Sequence, residues 1–312
     1  IESKMQVLAP PKPPSSSEPS WFLKLPERER PRAKGVKPTA TPGEWRNEKD
    51  GSILVRVPGG DCKLGLPGKL RAASVATFFI AKFEVTNAQF EKFVAETKHV
   101  TSCEEHGGGL VHKLMTAESD DEVFSGYDTR PGATWRDPEL KGRPKPDEPV
   151  IQVSWDDAVA YCKWAGLVLP TEDEWEMAAS WDPKERRARR FPWGDDRPVP
   201  GAPAFANLSD RAFNKLNGRK TDAVYDDGVA ERSIVGTFRL DCSPCGAFDM
   251  GGNASEWCRG GVTGKQLDVT LRPYRGGNWC STKDFAVCGF VIDPIPAYSG
   301  ASWIGIRVAL ER

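Results

Sequence analysis

Two neighbouring helix-start patterns, at Ser154 and Thr171, are the strongest secondary-structure signals in the chain. Ser154 precedes two acidic residues and then apolar residues at helical spacing. A Ser or Thr cap with acidic residues in the first turn stabilises the start of a helix. Thr171 is followed by Glu172, Asp173 and Glu174, so the same reasoning predicts a second helix. Both predicted helices therefore start within one short span in the middle of the chain.

Outside that span the sequence predicts short strands and irregular loops. Residues 52–57 and 78–85 are rich in β-branched and aromatic residues, which favours strands. Thr86 followed by Asn87 is a third helix-cap pattern. The chain is rich in Gly (30), Pro (26) and Trp (11), and it shows neither an internal repeat nor a regular alternation of strands and helices. This pattern predicts the α+β class.

The composition argues against several classes of function. With 43 Lys and Arg against 44 Asp and Glu, the net charge is −1, which gives no sign of a nucleic-acid-binding surface. No apolar run approaches the roughly 18 residues of a membrane span. The three histidines, His99, His106 and His112, lie in one short window, which argues against a multi-histidine redox metal centre. We therefore expect neither nucleic acid as a partner nor a membrane span.

The first 45 residues differ in composition from the rest of the chain. They hold nine of the 26 prolines, and a Pro-rich run at 10–14 is followed by three serines. Such segments are typically extended. We predict a tail or linker over residues 1–45 and one globular domain over residues 46–312. The tail would either dock through the apolar side chains of Trp21, Phe22, Leu23 and Leu25 or connect the domain to another domain.

Seven motifs in a fixed order are the most specific feature of the sequence. They are PVIQVSWDDA at 149–158, YCKWAG at 161–166, LPTEDEWE at 169–176, FPWG at 191–194, DMGGNASEW at 249–257, RGGNW at 275–279 and IGIR at 304–307. In this order they resemble the formylglycine-generating enzyme family, also called sulfatase-modifying factors, over roughly residues 50–312. The resemblance implies one large α+β domain with a C-type-lectin-like core: a twisted antiparallel sheet, two main helices and much irregular loop.

The resemblance also implies two structural calcium sites, built from the oxygen ligands that calcium prefers. The ligands of the first map onto Asn207, Leu208, Asp227 and Val229, and those of the second onto Asp249, Gly252, Ala254 and Glu256. In the first site, Asn207 and Asp227 would use side-chain oxygens, and the other two residues main-chain carbonyls. The alternative is that Asp249, Asn253 and Glu256 only cap turns and accept hydrogen bonds from the backbone.

The oxidase chemistry of the family depends on a pair of cysteines. It converts a peptide cysteine to formylglycine with oxygen and a copper ion, a soft metal that thiolates bind well. In the family the two cysteines follow a Gly-Gly-Ser-aromatic motif at close spacing. Here Asn278 replaces the serine, Cys280 comes one position early and Cys288 is eight residues further on. Together these departures point away from oxidase activity. The alternative hypothesis keeps Cys280 and Cys288 as a copper- and oxygen-dependent catalytic pair.

The cysteines are compatible with disulfides in an oxidising compartment or with buried thiols in the cytoplasm. The resemblance implies a disulfide between Cys258 and Cys288, because cysteines at these places resemble a pairing common in bacterial relatives. Cys242 and Cys245 form a lone CxxC motif, which favours a loop disulfide or two thiols over half of a zinc site. Eight cysteines together with calcium sites favour an extracytoplasmic location.

From these features we expect a non-catalytic binding module on the family scaffold. Its partner would be a protein, a peptide or another ligand, bound on the C-terminal loop face around residues 280–303. The candidate ligand surface consists of Ser281, Lys283, Asp284, Tyr298 and Trp303. The alternative is that these residues only pack the loop.

Overall fold

The computed structural model describes residues 19–114, 125–198, 203–216, 225–263 and 269–311. The α-helices in these ranges are α1 (Ser20–Lys24), α2 (Asn87–Thr97), α3 (Ser102–Glu105), α4 (Trp155–Ala165), α5 (Glu172–Ser180) and α6 (Arg211–Leu216). A 3-10 helix spans Glu27–Glu29. None of these described helices has both the length and the apolar character needed to cross a membrane.

The described strands are short. They are β1 (Val36–Pro38), β2 (Glu44–Asn47), β3 (Ile53–Val57), β4 (Gly60–Leu64), β5 (Arg71–Val75), β6 (Phe78–Ala81), β7 (Gly108–Leu114), β8 (Ser125–Pro131), β9 (Trp181–Asp182), β10 (Arg187–Ala188), β11 (Ser255–Trp257), β12 (Val262–Thr263), β13 (Thr270–Arg272), β14 (Tyr274–Arg275), β15 (Ile295–Pro296), β16 (Ile304–Gly305) and β17 (Ala309–Glu311).

The largest sheet has five antiparallel strands in the order β1-β2-β3-β6-β17. Strand β6 pairs with β3 on one side, where Ile80 is opposite Val55, and with β17 on the other, where Ile80 is opposite Ala309. All four residues of β6 are buried, as expected for a strand that is covered on both faces. An antiparallel sheet with helices in separate parts of the chain confirms the α+β prediction.

The three predicted helix starts all carry capping boxes. The Ser154 hydroxyl accepts a hydrogen bond from the main-chain N–H of Asp157, and the Asp157 carboxylate accepts one from the N–H of Ser154. Thr171 and Thr86 form the same arrangement at the starts of α5 and α2. Helix α4 ends at Gly166, whose φ of 71° lies in the left-handed region that favours glycine.

Two large apolar clusters cover opposite faces of the main sheet. Leu54 and Phe79 belong to the first cluster, which also contains the buried faces of α2 and α4. Their chain neighbours Val55 and Ile80 belong to the second, which includes Trp175 of α5. Successive residues of a strand point to opposite faces, so β3 and β6 contribute to both clusters.

The N-terminal segment from residue 19 contacts the main sheet. The rings of Trp21 and Trp45 meet edge to face with centroids 5.3 Å apart, and the indole N–H of Trp21 donates to the carbonyl of Thr39 at 3.1 Å. Strand β1 lies before residue 45 and pairs with β2 at the edge of the sheet. The division into a tail and a domain remains a prediction, and residues 1–18 lie outside the described ranges.

Candidate functional site

A buried ion pair joins three of the sequence motifs. Arg307 and Glu256 are fully buried, with 0% and 1% of their side chains exposed, and their charged groups approach to 2.6 Å. Arg307 also donates to the main-chain carbonyls of Ala81, at 2.8 Å, and Phe248, at 2.6 Å. The second carboxylate oxygen of Glu256 accepts a hydrogen bond from the indole N–H of Trp175. This pair therefore links β6, α5 and the C-terminal segment.

Three further carboxylates are buried around this ion pair. Burial, followed by repulsion from Asp249 and Glu256, raises the pKa of Glu84 well above its usual range. Burial and the charge of Asp249 also raise the pKa of Asp241 well above its usual range. Burial also raises the pKa of Asp249 to about 7, although a hydrogen bond from a main-chain N–H and the charge of Arg307 oppose the shift. Arg307 therefore lies close to four carboxyl groups, and the charge of Arg239 also lowers the pKa of Asp249.

The second predicted calcium set lies within this acidic region. One carboxylate oxygen of Asp249 accepts a hydrogen bond from the N–H of Gly236, whereas the other, Oδ1, is buried and has no hydrogen-bond partner among the described residues. Gly252, Ala254 and Glu256 follow Asp249 in the same buried motif.

The first predicted set is also brought together. The two carboxylate oxygens of Asp227 accept hydrogen bonds from the main-chain N–H groups of Leu208, at 2.9 Å, and Val229, at 2.8 Å. Asp210 lies against Asp227 and accepts its main-chain N–H. Burial, with the charge of Asp210, raises the pKa of Asp227 to about 8.

The Asn207 side chain uses its nitrogen for hydrogen bonds and leaves its amide oxygen without a partner among the described residues. Its nitrogen donates to the carbonyl of Glu231, at 2.8 Å, and to Oδ1 of Asn253, at 3.1 Å. Both partners are acceptors, so the amide nitrogen must face them and the oxygen must face the other way. That oxygen is buried without a partner in the described part of the chain.

Asn207 also connects the two predicted sets. The main-chain carbonyl oxygen of Asn207 accepts a hydrogen bond from the main-chain N–H of Asn253 at 2.9 Å. A Cβ added at Gly252 would lie 2.3 Å from the same carbonyl oxygen, so this close approach requires a glycine. Asn207 of the first predicted set thus contacts Gly252 of the second and its neighbour Asn253.

The donor atoms of this region fit a hard cation. Four buried side-chain oxygens lack partners in the described ranges, and two of them belong to Asn207 and Asp249, in the predicted calcium sets. The described residues contain no group of three His, Cys, Asp or Glu side chains that could hold a metal ion. The predicted sets combine carboxylate, amide and main-chain oxygens, which are the ligand types that calcium uses.

Cys280 and Cys288 belong to different apolar clusters. Cys280 is partly exposed, packs against the first cluster and lies 3.1 Å from the amide oxygen of Asn278. Cys288 is buried in the second cluster with Cys258. Burial raises the pKa of both Cys280 and Cys288, which keeps them as neutral thiols.

All eight cysteines are free thiols in the structure. The implied disulfide between Cys258 and Cys288 is therefore absent, although both residues are buried in the second cluster. Cys242 and Cys245 are likewise two partly exposed thiols, and they line a cavity of about 590 Å³ near Trp21 and Trp45.

The five residues of the candidate ligand surface differ in exposure. Lys283, Asp284 and Tyr298 are exposed, and Tyr298 has half of its surface accessible. Ser281 is buried, and its hydroxyl accepts the main-chain N–H of Asn278 at 2.9 Å. Trp303 is also buried, so three of the five side chains are available to a ligand.

Comparisons with known proteins agree with the sequence motifs. Residues 40–312 match the profile of a family described as sulfatase-modifying factor enzyme 1-like domain. The sequence is 34% identical over 240 residues to a Streptomyces coelicolor protein named formylglycine-generating enzyme, covering 70% of this chain and 72% of that protein. It is 32% identical over 265 residues to a Bos taurus protein named inactive C-alpha-formylglycine-generating enzyme 2, covering 78% and 82% of the two chains.

A solved structure supports the same fold. PvdO from Pseudomonas aeruginosa matches with a TM-score of 0.60 and 20% sequence identity, covering 88% of this chain and 100% of that chain. At this level of identity the likeness establishes the fold alone.

Proposed function

The chain belongs to the sulfatase-modifying factor family, and from this membership we propose that it is a non-catalytic module that binds a ligand or partner protein on a scaffold stabilised by calcium. The observation that carries the proposal is the separation of Cys280 and Cys288 into two apolar clusters. A copper site made by two cysteines needs both sulfurs, as thiolates, at one metal ion.

The surroundings of Cys288 argue against its use as a metal ligand. Its side chain is 2% exposed, and its main-chain carbonyl accepts a hydrogen bond from Arg275 at 2.9 Å. Arg275 is itself held by a buried ion pair with Glu176 at 2.8 Å. Moving Cys288 towards Cys280 would disturb this buried network, which is energetically costly. The name of the Bos taurus relative, which marks it as inactive, supports the same conclusion.

Calcium would have a structural role. Asn207, Leu208, Asp227 and Val229 would hold one ion, and Asp249, Gly252, Ala254 and Glu256 the other. The unpartnered oxygens of Asn207 and Asp249 support these assignments, because a buried acceptor without a donor or a cation destabilises the fold. A cation would also offset the repulsion among the buried carboxylates.

The ligand or partner would bind the C-terminal loop face. Lys283 and Asp284 present opposite charges there, and Tyr298 adds an exposed aromatic ring. An exposed Tyr can anchor a protein interface, and charged residues such as Lys and Asp are found at the polar rim around such an anchor. Ser281 and Trp303 would support this surface from beneath. A protein or peptide is the expected partner, and the N-terminal tail would associate the module with another domain.

The alternative function is a copper- and oxygen-dependent oxidoreductase that converts a peptide cysteine to formylglycine or a related product. Two observations favour it: the partial exposure of Cys280 and the name of the Streptomyces coelicolor relative. Under this alternative, Cys280 and Cys288 would have to leave their separate apolar clusters to hold one copper ion.

Copper(I) titration of the reduced protein tests the proposal. We expect Cys280 and Cys288 not to bind copper(I) jointly. The unaltered chain, Cys280→Ser and Cys288→Ser should therefore not differ by one shared equivalent of bound copper. The matched control is Cys62→Ser, which removes another buried thiol of the second cluster. One equivalent that is lost in both variants and kept in the control would favour the oxidase. Formation of an aldehyde in a cysteine-containing peptide, detected with a hydrazide reagent, would then confirm the activity.

A further inference from the structure

The side-chain amide of Asn253 is held at both of its ends. Its oxygen accepts hydrogen bonds from the main-chain N–H of Ser233, at 2.9 Å, and from the side-chain nitrogen of Asn207, at 3.1 Å. Its nitrogen donates to Oε2 of Glu84 at 2.7 Å and to the carbonyl of Ser233 at 3.3 Å. A main-chain N–H can only donate, so the end of Asn253 that accepts it must be the oxygen. Asn253 is 1% exposed and belongs to neither predicted calcium set.

This orientation of Asn253 contributes to the orientation of Asn207. The side-chain nitrogen of Asn207 faces two acceptors, Oδ1 of Asn253 and the main-chain carbonyl of Glu231. Turning the Asn207 amide over would place its oxygen against both acceptors and break two hydrogen bonds, each of which contributes about 0.5–1.5 kcal/mol. Oδ1 of Asn207 is therefore held without a partner among the described residues before any ion binds.

The main chain of Asn253 also contacts Asn207. Its N–H donates to the carbonyl of Asn207 at 2.9 Å, and its own carbonyl accepts the N–H of Trp279 at 3.0 Å. Its φ of 68° lies in the left-handed region, which Asn adopts more readily than most other residues that carry a side chain. Asn253 and Asn207 are thus joined by one main-chain and one side-chain hydrogen bond.

Glu84 holds the other end of the Asn253 amide together with the next residue. One oxygen of its carboxyl group accepts the side chain of Asn253, and the other accepts the main-chain N–H of Ala254 at 2.8 Å. Glu84 is 2% exposed, so neither donor can turn to solvent instead. A glutamine in its place would have a single acceptor oxygen and could serve only one of the two donors.

We propose that Asn253 and Glu84 are positioning residues, which orient Asn207 as a ligand of the first calcium ion before that ion binds. This inference rests on the proposed function, in which the side-chain oxygen of Asn207 is a calcium ligand. Residues that orient metal ligands through hydrogen bonds change metal affinity about 10- to 100-fold when they are replaced. A structural ion is enclosed as the chain folds, so ligands that are shielded from solvent in the folded chain can still hold it.

Calcium titration of the full-length protein against a fluorescent chelator tests this role. Glu84→Gln should weaken one of the two calcium-binding steps by about tenfold or more, because it leaves one buried donor facing an NH2 group. The combined variant Glu84→Gln/Asn253→Asp exchanges donor and acceptor between the two residues and restores the net charge. It should bind that ion at least about threefold more tightly than Glu84→Gln alone, since the two changes compensate each other.

Asp241→Asn is the control for the loss of a buried negative charge. Asp241 is 1% exposed, and its carboxyl oxygens accept the main-chain N–H of Gly251, so its replacement leaves the hydrogen bonds of Asn253 in place. Its effect on the ion that is lost in Asn207→Ala should be clearly smaller than the effect of Glu84→Gln.

Hydrogen exchange of the Asn207 side chain tests its orientation without calcium. In the calcium-free protein with ¹⁵N labelling, Glu84→Gln should speed the exchange of the Asn207 NH2 group about tenfold. The signals of this group are assigned by their absence from Asn207→Ala. The internal control is the NH2 group of Asn47, which donates to the carbonyl of Ala165 at 2.9 Å. A general loss of stability would speed the exchange of both groups, whereas the proposed role predicts a change at Asn207 alone.

Three results would overturn the inference: equal weakening by Glu84→Gln and Asp241→Asn, no recovery in the combined variant, or unchanged exchange at Asn207. If Glu84→Gln does not fold, the unaltered chain decides, because without calcium its Asn207 NH2 group should exchange about as slowly as that of Asn47. Rapid exchange there would show that Asn207 is not oriented before the ion binds. If the unaltered chain binds no calcium, the calcium part of the proposed function fails together with this inference. If it binds calcium and any of the three results is found, this inference alone fails.

Discussion

Arg307 and Glu256 form an ion pair at 2.6 Å that is completely shielded from solvent. Three more buried carboxylates, those of Glu84, Asp241 and Asp249, surround it. Burying a charge without a partner is far more costly than exposing one. The guanidinium of Arg307 is therefore the main internal counter-charge of this region.

Loss of this guanidinium is expected to destabilise the fold strongly. Arg307→Met keeps a long apolar side chain but leaves Glu256 unpaired, so the free energy of unfolding should fall by about 3–5 kcal/mol. Urea unfolding in the presence of a chelator measures this change without contributions from bound ions. The control is Arg259→Met, since Arg259 is 38% exposed and its ion pairs are at the surface. We expect a loss of at most about 1 kcal/mol there, and equal losses in the two variants would contradict the prediction.

Gly252 is expected to tolerate no side chain. Because its added Cβ would lie 2.3 Å from the Asn207 carbonyl oxygen, a main-chain atom must move to accommodate it. Gly252→Ala should lower the free energy of unfolding by about 3 kcal/mol or more. Gly43→Ala is the control: its φ of 82° strains an alanine, but no atom lies within 4 Å of the added Cβ. A loss of about 1 kcal/mol is expected there, and similar values for both variants would show that the Asn207 contact is unimportant.

The elements that the sequence predicted well depend on local chemistry. Ser154 and Asp157 are three residues apart, so the capping box that starts α4 is visible in the sequence. Glu84, in contrast, accepts the main-chain N–H of Ala254 at 2.8 Å across 170 positions, and nothing near either residue signals this contact. Asp210 and Asp241 were missed for the same reason.

Exposure in irregular loops was also beyond sequence reasoning. Trp303 and Tyr298 are both aromatic and only a few positions apart, yet one is 9% and the other 50% exposed. A helix or strand has a period that assigns each residue to a face, whereas a loop without a period gives no such information. In the loop that carries Ser281 and Lys283, a buried and an exposed residue likewise lie two positions apart.

Stability is expected to decline at alkaline pH, and Cys103 should contribute to the decline. Burial, with repulsion from Asp157, raises the pKa of the Cys103 thiol from 9.0 to about 12. Above pH 9.0 the unfolded chain releases this proton while the folded chain keeps it, so the free energy of unfolding falls as the pH rises towards 12. One such group contributes about 1.4 kcal/mol per pH unit.

Denaturant unfolding at a series of alkaline pH values measures this contribution. Cys103→Ala should flatten the decline by the slope of one group, whereas Ser102→Ala, which changes a non-titrating neighbour, should leave the slope unaltered. An unchanged slope in Cys103→Ala would show that this thiol ionises equally in the folded and unfolded states.

Removal of calcium is expected to destabilise the protein through Asn207 and Asp249. Under the proposed function, the purified protein carries two calcium ions, and a chelator lowers its melting temperature because the ions bind only the folded state. Elemental analysis should find one ion fewer in Asn207→Ala and one ion fewer in Asp249→Ala, and both variants should respond less to the chelator than the unaltered chain.

Asn47→Ala is the matched control for these variants. Asn47 is 3% exposed, but both ends of its amide are hydrogen-bonded, to the carbonyl of Ala165 and the N–H of Lys49. This variant should lose stability while keeping both ions and the full response to the chelator. If Asn207→Ala behaves like Asn47→Ala, its unpartnered oxygen does not bind an ion. If the unaltered chain contains no calcium and ignores the chelator, the calcium part of the proposal fails. The buried carboxylates are then neutralised by protons and by arginines such as Arg307, and the binding-module part of the proposal still stands.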